Sequence, residues 1–135
     1  MSNKSDGNTF EKEFAELLGQ NGFWVHNLQQ NVFGQPADII AARNGKTFLI
    51  DCKVCANDTF CLSRIEENQA LAMNHWQKCG NGTGWFALKF TSEIYMVPYP
   101  IFKLYKEKKG NITLGEKDIK RHFRIDQWIK ENARL

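Results

Sequence analysis

QPADIIAARNGKTFLIDCKVC, residues 35–55, is two apolar runs hinged on Asn44-Gly45. Asn-Gly favours a two-residue type I′ turn, because both central positions need positive φ. With Arg43 and Lys46 flanking the turn, pairing follows by counting: Ala42 faces Thr47, Ile40 faces Leu49, and Asp38 faces Asp51. Opposed residues hold their Cβ atoms roughly 4.5–5.5 Å apart. Two carboxylates at that spacing repel unless something positive lies between them. Lys53, two residues beyond Asp51, shares its face, and a divalent cation is the other candidate counter-charge. On the residues alone, a catalytic trio and an ordinary surface salt bridge, worth ~0–1 kcal/mol, stand level.

Outward from the hairpin, both faces stay apolar: Ile40 and Leu49 on one, Ile39, Phe48, Ile50 and Val54 on the other. A sheet apolar on both faces is covered on both, usually by helices. Upstream, Phe10, Phe14, Leu17 and Leu18 predict a helix from near Asn8 to about Gly22. Glu11 lies beside that stripe, in the row of Ala15 and Leu18, whereas Glu13 and Glu16 point further away. Glu11 also fits a capping box with Asn8. Phe23 to Leu28 reads as a strand and residues 29–35 as a polar connection. Downstream, Ser63 and Glu66 form a capping box opening a helix to about Lys78, with Gly80 beyond its end. Gln69 falls on its inward row with Ile65, Ala72, Met73 and Trp76. A buried amide needs partners. Backbone groups and a phosphate or metal-bound water are both open to it. Trp85 to Phe90 and Ile94 to Val97 read as two further strands, stopped by Pro98 and Pro100. The expected architecture is α/β, a central mixed sheet of about five strands with helices on both faces.

The sequence also resembles a known family. Pro36-Ala37-Asp38 followed by Asp51-Cys52-Lys53 is similar to the PD-(D/E)XK nuclease signature, and Gly7-Asn8-Thr9-Phe10-Glu11 to the GxxFE helix start of its Holliday-junction resolvase branch, archaeal Hjc-like and bacterial or phage RecU-like. The resemblance implies a restriction-endonuclease-like fold and a Mg²⁺-dependent endonuclease of branched DNA, with Mn²⁺ able to substitute. It implies a catalytic set of Glu11, Asp38, Asp51, Lys53 and Gln69. Metal ligation would come from Asp38, Asp51, the Cys52 carbonyl and Glu11. It further implies four-way-junction DNA as partner and a homodimer. Lys12, Arg64 and Lys89 are candidates to meet DNA. RecU-like enzymes insert a long stalk in the sheet; few residues separate Phe33 from Pro36, which is nearer the archaeal form. Other nucleases of the superfamily (nicking, restriction or repair types) and a non-cutting DNA-binding module are the competing readings.

Composition bounds the rest. The 135 residues suit one nuclease domain, with residues 1–6 polar and expected to be disordered. The formal charge of +3 is uneven: residues 103–135 carry ten Lys/Arg against five Asp/Glu. That stretch is expected to form a peripheral basic tail ending in an Asp126-capped helix. It reads equally as a phosphate footprint or a solvated helical face. Cys52 and Cys55 have one spacing suited to zinc, but Cys61 and Cys79 supply no second close pair, so reduced, buried thiols are expected. No apolar run reaches membrane-span length and the N-terminus lacks a signal-peptide pattern, so a cytoplasmic protein without membrane contact is expected.

Overall fold

A computed structural model describes residues 3–28 and 37–132. Pro36 and the connection before it, including Phe33, lie outside the described residues. In chain order the elements are α1 (Asn3–Gln20), β1 (Trp24–Asn27), β2 (Ile39–Arg43), β3 (Lys46–Val54), β4 (Thr59–Cys61), α2 (Glu67–Lys78), β5 (Trp85–Lys89), β6 (Ile94–Pro98), α3 (Tyr99–Lys109), β7 (Thr113–Gly115), α4 (Glu116–Ile119), β8 (Phe123–Arg124) and α5 (Ile125–Asn132). Short 3₁₀ turns, Ala56–Asp58 and Leu62–Arg64, flank β4.

The hairpin forms in the expected register. Asn44 and Gly45 take φ of 52° and 78°, the paired positive values of a type I′ turn. Ile40 pairs with Leu49 and Ala42 with Thr47. A mixed sheet grows from it in the order β1-β2-β3-β5-β6-β8, in which β3 and β5 run parallel and every other pair antiparallel. Alternation along the strands feeds two cores. Ile39, Ile50, Cys52 and Met96 meet Phe10, Phe14 and Leu18 of α1 and Trp128 of α5. Leu49, Phe86, Leu88 and Val97 meet Met73 of α2 and Phe102 of α3. Helices therefore cover both faces, as the two-sided apolar pattern requires.

Several elements differ from expectation, each for a local reason. The sheet has six strands rather than about five, because two-residue β8 pairs with Tyr95 and Met96 and is too short to show alternation. Helix α1 starts at Asn3 rather than Asn8, so residues 3–6, expected without order, supply its first turn. A single Gly7 costs a helix only about 1 kcal/mol and does not stop it. At the other end Gly22, at φ 88°, reverses the chain where any Cβ would strike the Arg43 guanidinium. Helix α2 starts at Glu67, four residues past the Ser63 box; the chain first makes a 3₁₀ turn that buries Leu62.

The C-terminal third is not peripheral. Strand β7 pairs with β4 in a two-stranded ribbon, while Phe102, Leu114, Ile119 and Trp128 are buried. Trp128 stacks on Phe23 at 5.7 Å and meets Phe48 edge-on at 5.0 Å. Its basic residues lie between these anchors, which is why a charge count misread the segment. Asp126 sits inside α5 rather than ahead of it, accepting from Gln127 N at 2.9 Å.

Candidate active site

The hairpin end remote from Asn44-Gly45 is where α1, β2, β3 and α2 converge. The β2–β3 ladder ends at Ile39↔Ile50; Asp38, one residue before it, donates its N–H to Ile50 O at 3.1 Å, one step off that register, and its carboxylate lies beside that of Asp51. Its side chain then takes over from the backbone, Oδ2 accepting the Cys52 N–H at 2.7 Å. Asp38 and Asp51 are both buried. Lys53 Nζ lies 3.2 Å from Asp51 Oδ2, an ion pair, yet Oδ2 accepts no hydrogen bond among the described residues. Cys52, between the two charged residues, turns its thiol into the opposite core.

Gln69 ties α2 to this cluster. Its Nε2 donates to Asp51 Oδ1 at 3.2 Å; its Oε1 accepts from Lys53 Nζ at 3.3 Å and from the Glu66 N–H at 3.1 Å. The last contact belongs to a Glu66/Gln69 capping box. One amide thus caps the helix and fixes both the acid and the lysine, so backbone and site share it. Gln69→Ala is expected to lower cleavage roughly 10–100-fold, as loss of an orienting partner does. It should also cost about 1 kcal/mol through the lost cap. Single-turnover rates and thermal melts read the two effects separately.

Glu11 reaches the cluster from α1. Burial pushes its carboxyl up to about 7, helped by the Asp38 charge and a hydrogen bond to Asp38, while Lys53 opposes. Burial and the Asp38 charge likewise hold Asp51 well above the ordinary aspartate value, again against Lys53. An acid held high in the folded state binds protons that the unfolded chain has released. Its stabilising share is complete below the unfolded values of 4.5 for Glu11 and 3.8 for Asp51, and is lost as pH rises through the folded value, about 7 for Glu11. Metal-free protein is therefore expected to melt at progressively lower temperature from pH 4.5 to above 7; a flat or rising profile in chelator contradicts this.

These groups line a cleft of about 700 Å³, and Arg64 stands on its rim. Lys12 and Lys89 lie outside it; Lys89 pairs with Glu13 at 3.3 Å and covers Phe10. Asp6 and Glu66 also line the cleft and went unnoticed in the sequence. Asp6 joins only once α1 extends past Asn8, and Glu66 only if a glutamate, a poor N-cap by type, is allowed to cap. Thr59, Cys61 and Thr113 come from the β4–β7 ribbon, whose three-residue strands leave no periodic signal. Among the described residues no three His, Cys, Asp or Glu side chains form a ready-made metal cage. Mg²⁺ asks for less: one or two carboxylates, with water and phosphate oxygens completing its shell. Two buried acids side by side, with only a lysine ammonium against them, fit that demand.

A mixed sheet with helices on both faces, opening at one end into an acidic cleft where a lysine stands among carboxylates, is the build of a metal-dependent nuclease. A family model describing archaeal Holliday junction resolvases (Hjc) matches residues 2–134, and the chain belongs to that family. It is a nuclease that hydrolyses phosphodiester bonds in branched DNA. Among solved structures it is similar to Hjc from Archaeoglobus fulgidus, a Holliday junction resolvase from an archaeal hyperthermophile, with a TM-score of 0.70 over 93% of this chain and 99% of that one. Identity is 15%, so that likeness carries the fold. No curated protein sequence matches it.

Proposed function

We propose that Asp38, Asp51 and the Cys52 carbonyl hold Mg²⁺, and that Glu11, Lys53 and Gln69 complete a centre that cuts four-way DNA junctions. The observation that carries this is the pair of buried acids side by side at the hairpin's end, with Lys53 their only close cation, 3.2 Å from Asp51 Oδ2, among the described residues. When bound, the cation neutralises charge developing on the phosphorane-like transition state and lowers the pKa of a water. Lys53, a movable point charge held between Asp51 and Gln69, orients the attacking water or offsets charge on the scissile phosphate. Gln69 keeps Lys53 and Asp51 in register. Glu11, whose carboxyl burial and Asp38 push up to about 7 in metal-free protein, positions a second cation or water once ionised. Lys12, Arg64 and Lys89 are the cations proposed to meet DNA.

The protein acts as a single nuclease domain in the cytoplasm, where its substrate is. No helix of the described residues is long and apolar enough to cross a membrane. A homodimer is part of the proposal: paired cuts in a symmetric junction need two sites related by a two-fold.

The test is cleavage of a synthetic four-way junction, linear duplex and single strand with and without Mg²⁺. The proposal expects junction cutting in Mg²⁺ or Mn²⁺ and none in chelator, with Ca²⁺ bound but unproductive. Equal cutting of linear duplex points instead to a nicking, restriction or repair nuclease; junction binding without cleavage in any metal points to a binding module.

A further inference from the structure

We infer that Arg64 is a preset clamp for a phosphate next to the scissile one, on the strand being cut. The inference rests on the cleft being the cleavage site. Of the three cations proposed to meet DNA, Arg64 alone lines the cleft. Its backbone is fixed from both sides. Leu62, fully buried, donates its N–H to Ile112 O at 3.0 Å, and Ile65, also buried, donates to Leu62 O at 3.1 Å. The side chain is fixed too. Nη1 donates to Val54 O at 2.9 Å, one residue beyond Lys53, and the guanidinium lies 5.5 Å from the centre of the Phe60 ring. Phe60 is itself immobilised, fully buried and packed on Phe102 at 5.1 Å.

The turn that leads into β4, and so to Phe60 and Arg64, is also constrained. Asn57 and Asp58 both take positive φ, 63° and 54°, a conformation that costs a non-glycine residue roughly 1 kcal/mol or more. Asp58 is locked there, Oδ1 accepting the Thr91 N–H at 2.7 Å and its own N–H donating to Cys55 O at 3.1 Å. These bonds hold the turn that leads into β4 in one conformation.

Charge supplies the reason. Asp6, Glu11, Asp38, Asp51 and Glu66 line the cleft, and only Lys53 and Arg64 oppose them. Lys53 is paired with Asp51, whereas Arg64 forms no ion pair among the described residues. A polyanion entering an acidic cleft needs a cation not already spent on a carboxylate. A guanidinium has five N–H donors in a planar fork that matches two phosphate oxygens. Val54 O takes one and the Cys55 sulfur another, which leaves others for the ligand. A phosphate beside the scissile one, about one nucleotide away, is within reach of a cation anchored to the residue after Lys53.

The experiment measures junction affinity in Ca²⁺ for wild-type protein, Arg64→Lys and Arg64→Gln, on junctions carrying one neutral methylphosphonate at each position around the cut. Wild type should lose about tenfold at one neighbouring position, and Arg64→Gln about tenfold on unmodified junction with a salt slope shallower by about 1. The two losses should not add, since both remove the same contact. Arg64→Lys keeps charge but not the fork or the stack, and should recover less than half the loss on a logarithmic scale. Unchanged affinity in Arg64→Gln, or fully additive losses at every position, overturns the clamp. Wild-type cutting in Mg²⁺ alongside that result leaves the cleavage site standing; no cutting by wild type sinks the site instead.

Discussion

Asp38→Asn is expected to abolish junction cleavage and to raise the melting temperature of the metal-free protein. The amide keeps an oxygen to accept the Cys52 N–H but removes one negative charge from beside Asp51 and Glu11. That charge raises both neighbours, so its loss relieves repulsion in a buried cluster. Relief of that repulsion is expected to show as a Tm raised by a few degrees. For cleavage the same change removes a proposed ligand, and a drop of at least about a thousandfold, roughly 4 kcal/mol, is expected. Single-turnover cleavage beside thermal melts in chelator checks both signs. Retained activity removes Asp38 from the centre, and a lowered Tm refutes the repulsion argument.

Lys53→Ala should match that loss of activity and reverse its effect on stability. Lys53 is the cation set among the acids, within 3.2 Å of Asp51 Oδ2 and 3.3 Å of Gln69 Oε1. Removing it strands a buried carboxylate, ordinarily a cost of about 3–5 kcal/mol, lessened here because the cluster can take up a proton. Metal-free Tm should fall, most steeply above neutral pH, and added Mg²⁺ should restore much of it. Cleavage should fall about 10²–10⁴-fold, because cations alone do not replace a positioned ammonium. A variant that cuts normally ends the role assigned to Lys53.

The opposite signs expected from these two changes follow from a hairpin readable in the sequence. Asn44-Gly45 fixed the turn, the turn fixed the register from Arg43↔Lys46 to Ile39↔Ile50, and one residue further Asp38 lies beside Asp51, although its own N–H leaves the ladder. Two apolar faces likewise required helices on both sides. Legibility ended where elements are too short for periodicity or are held by distant partners. Strand β8 has two residues and β4 and β7 three each, and they form only because the sheet edge and each other accept them. Helix α2 began late because burial of Leu62 outweighed a good local capping box. The role of the C-terminal third depended on one tryptophan: Trp128 looked like an ordinary residue on an amphipathic helix, and Phe23, Phe48 and Trp85 gather around it only in three dimensions. In the cleft, Asp38, Asp51 and Lys53 could be placed from the hairpin's own geometry, and Glu11 and Gln69 from helical rows near the core. Asp6 and Glu66 depend on where a helix starts, and Thr59, Cys61 and Thr113 on a ribbon too short to show a pattern.

The most direct test of two acids sharing an ion is anomalous diffraction from crystals soaked with Mn²⁺, recorded for wild-type protein and Asp38→Asn. A manganese peak within coordinating distance of both Asp38 and Asp51, lost in the variant, is the predicted result. A peak away from the hairpin, or one unchanged in Asp38→Asn, contradicts it.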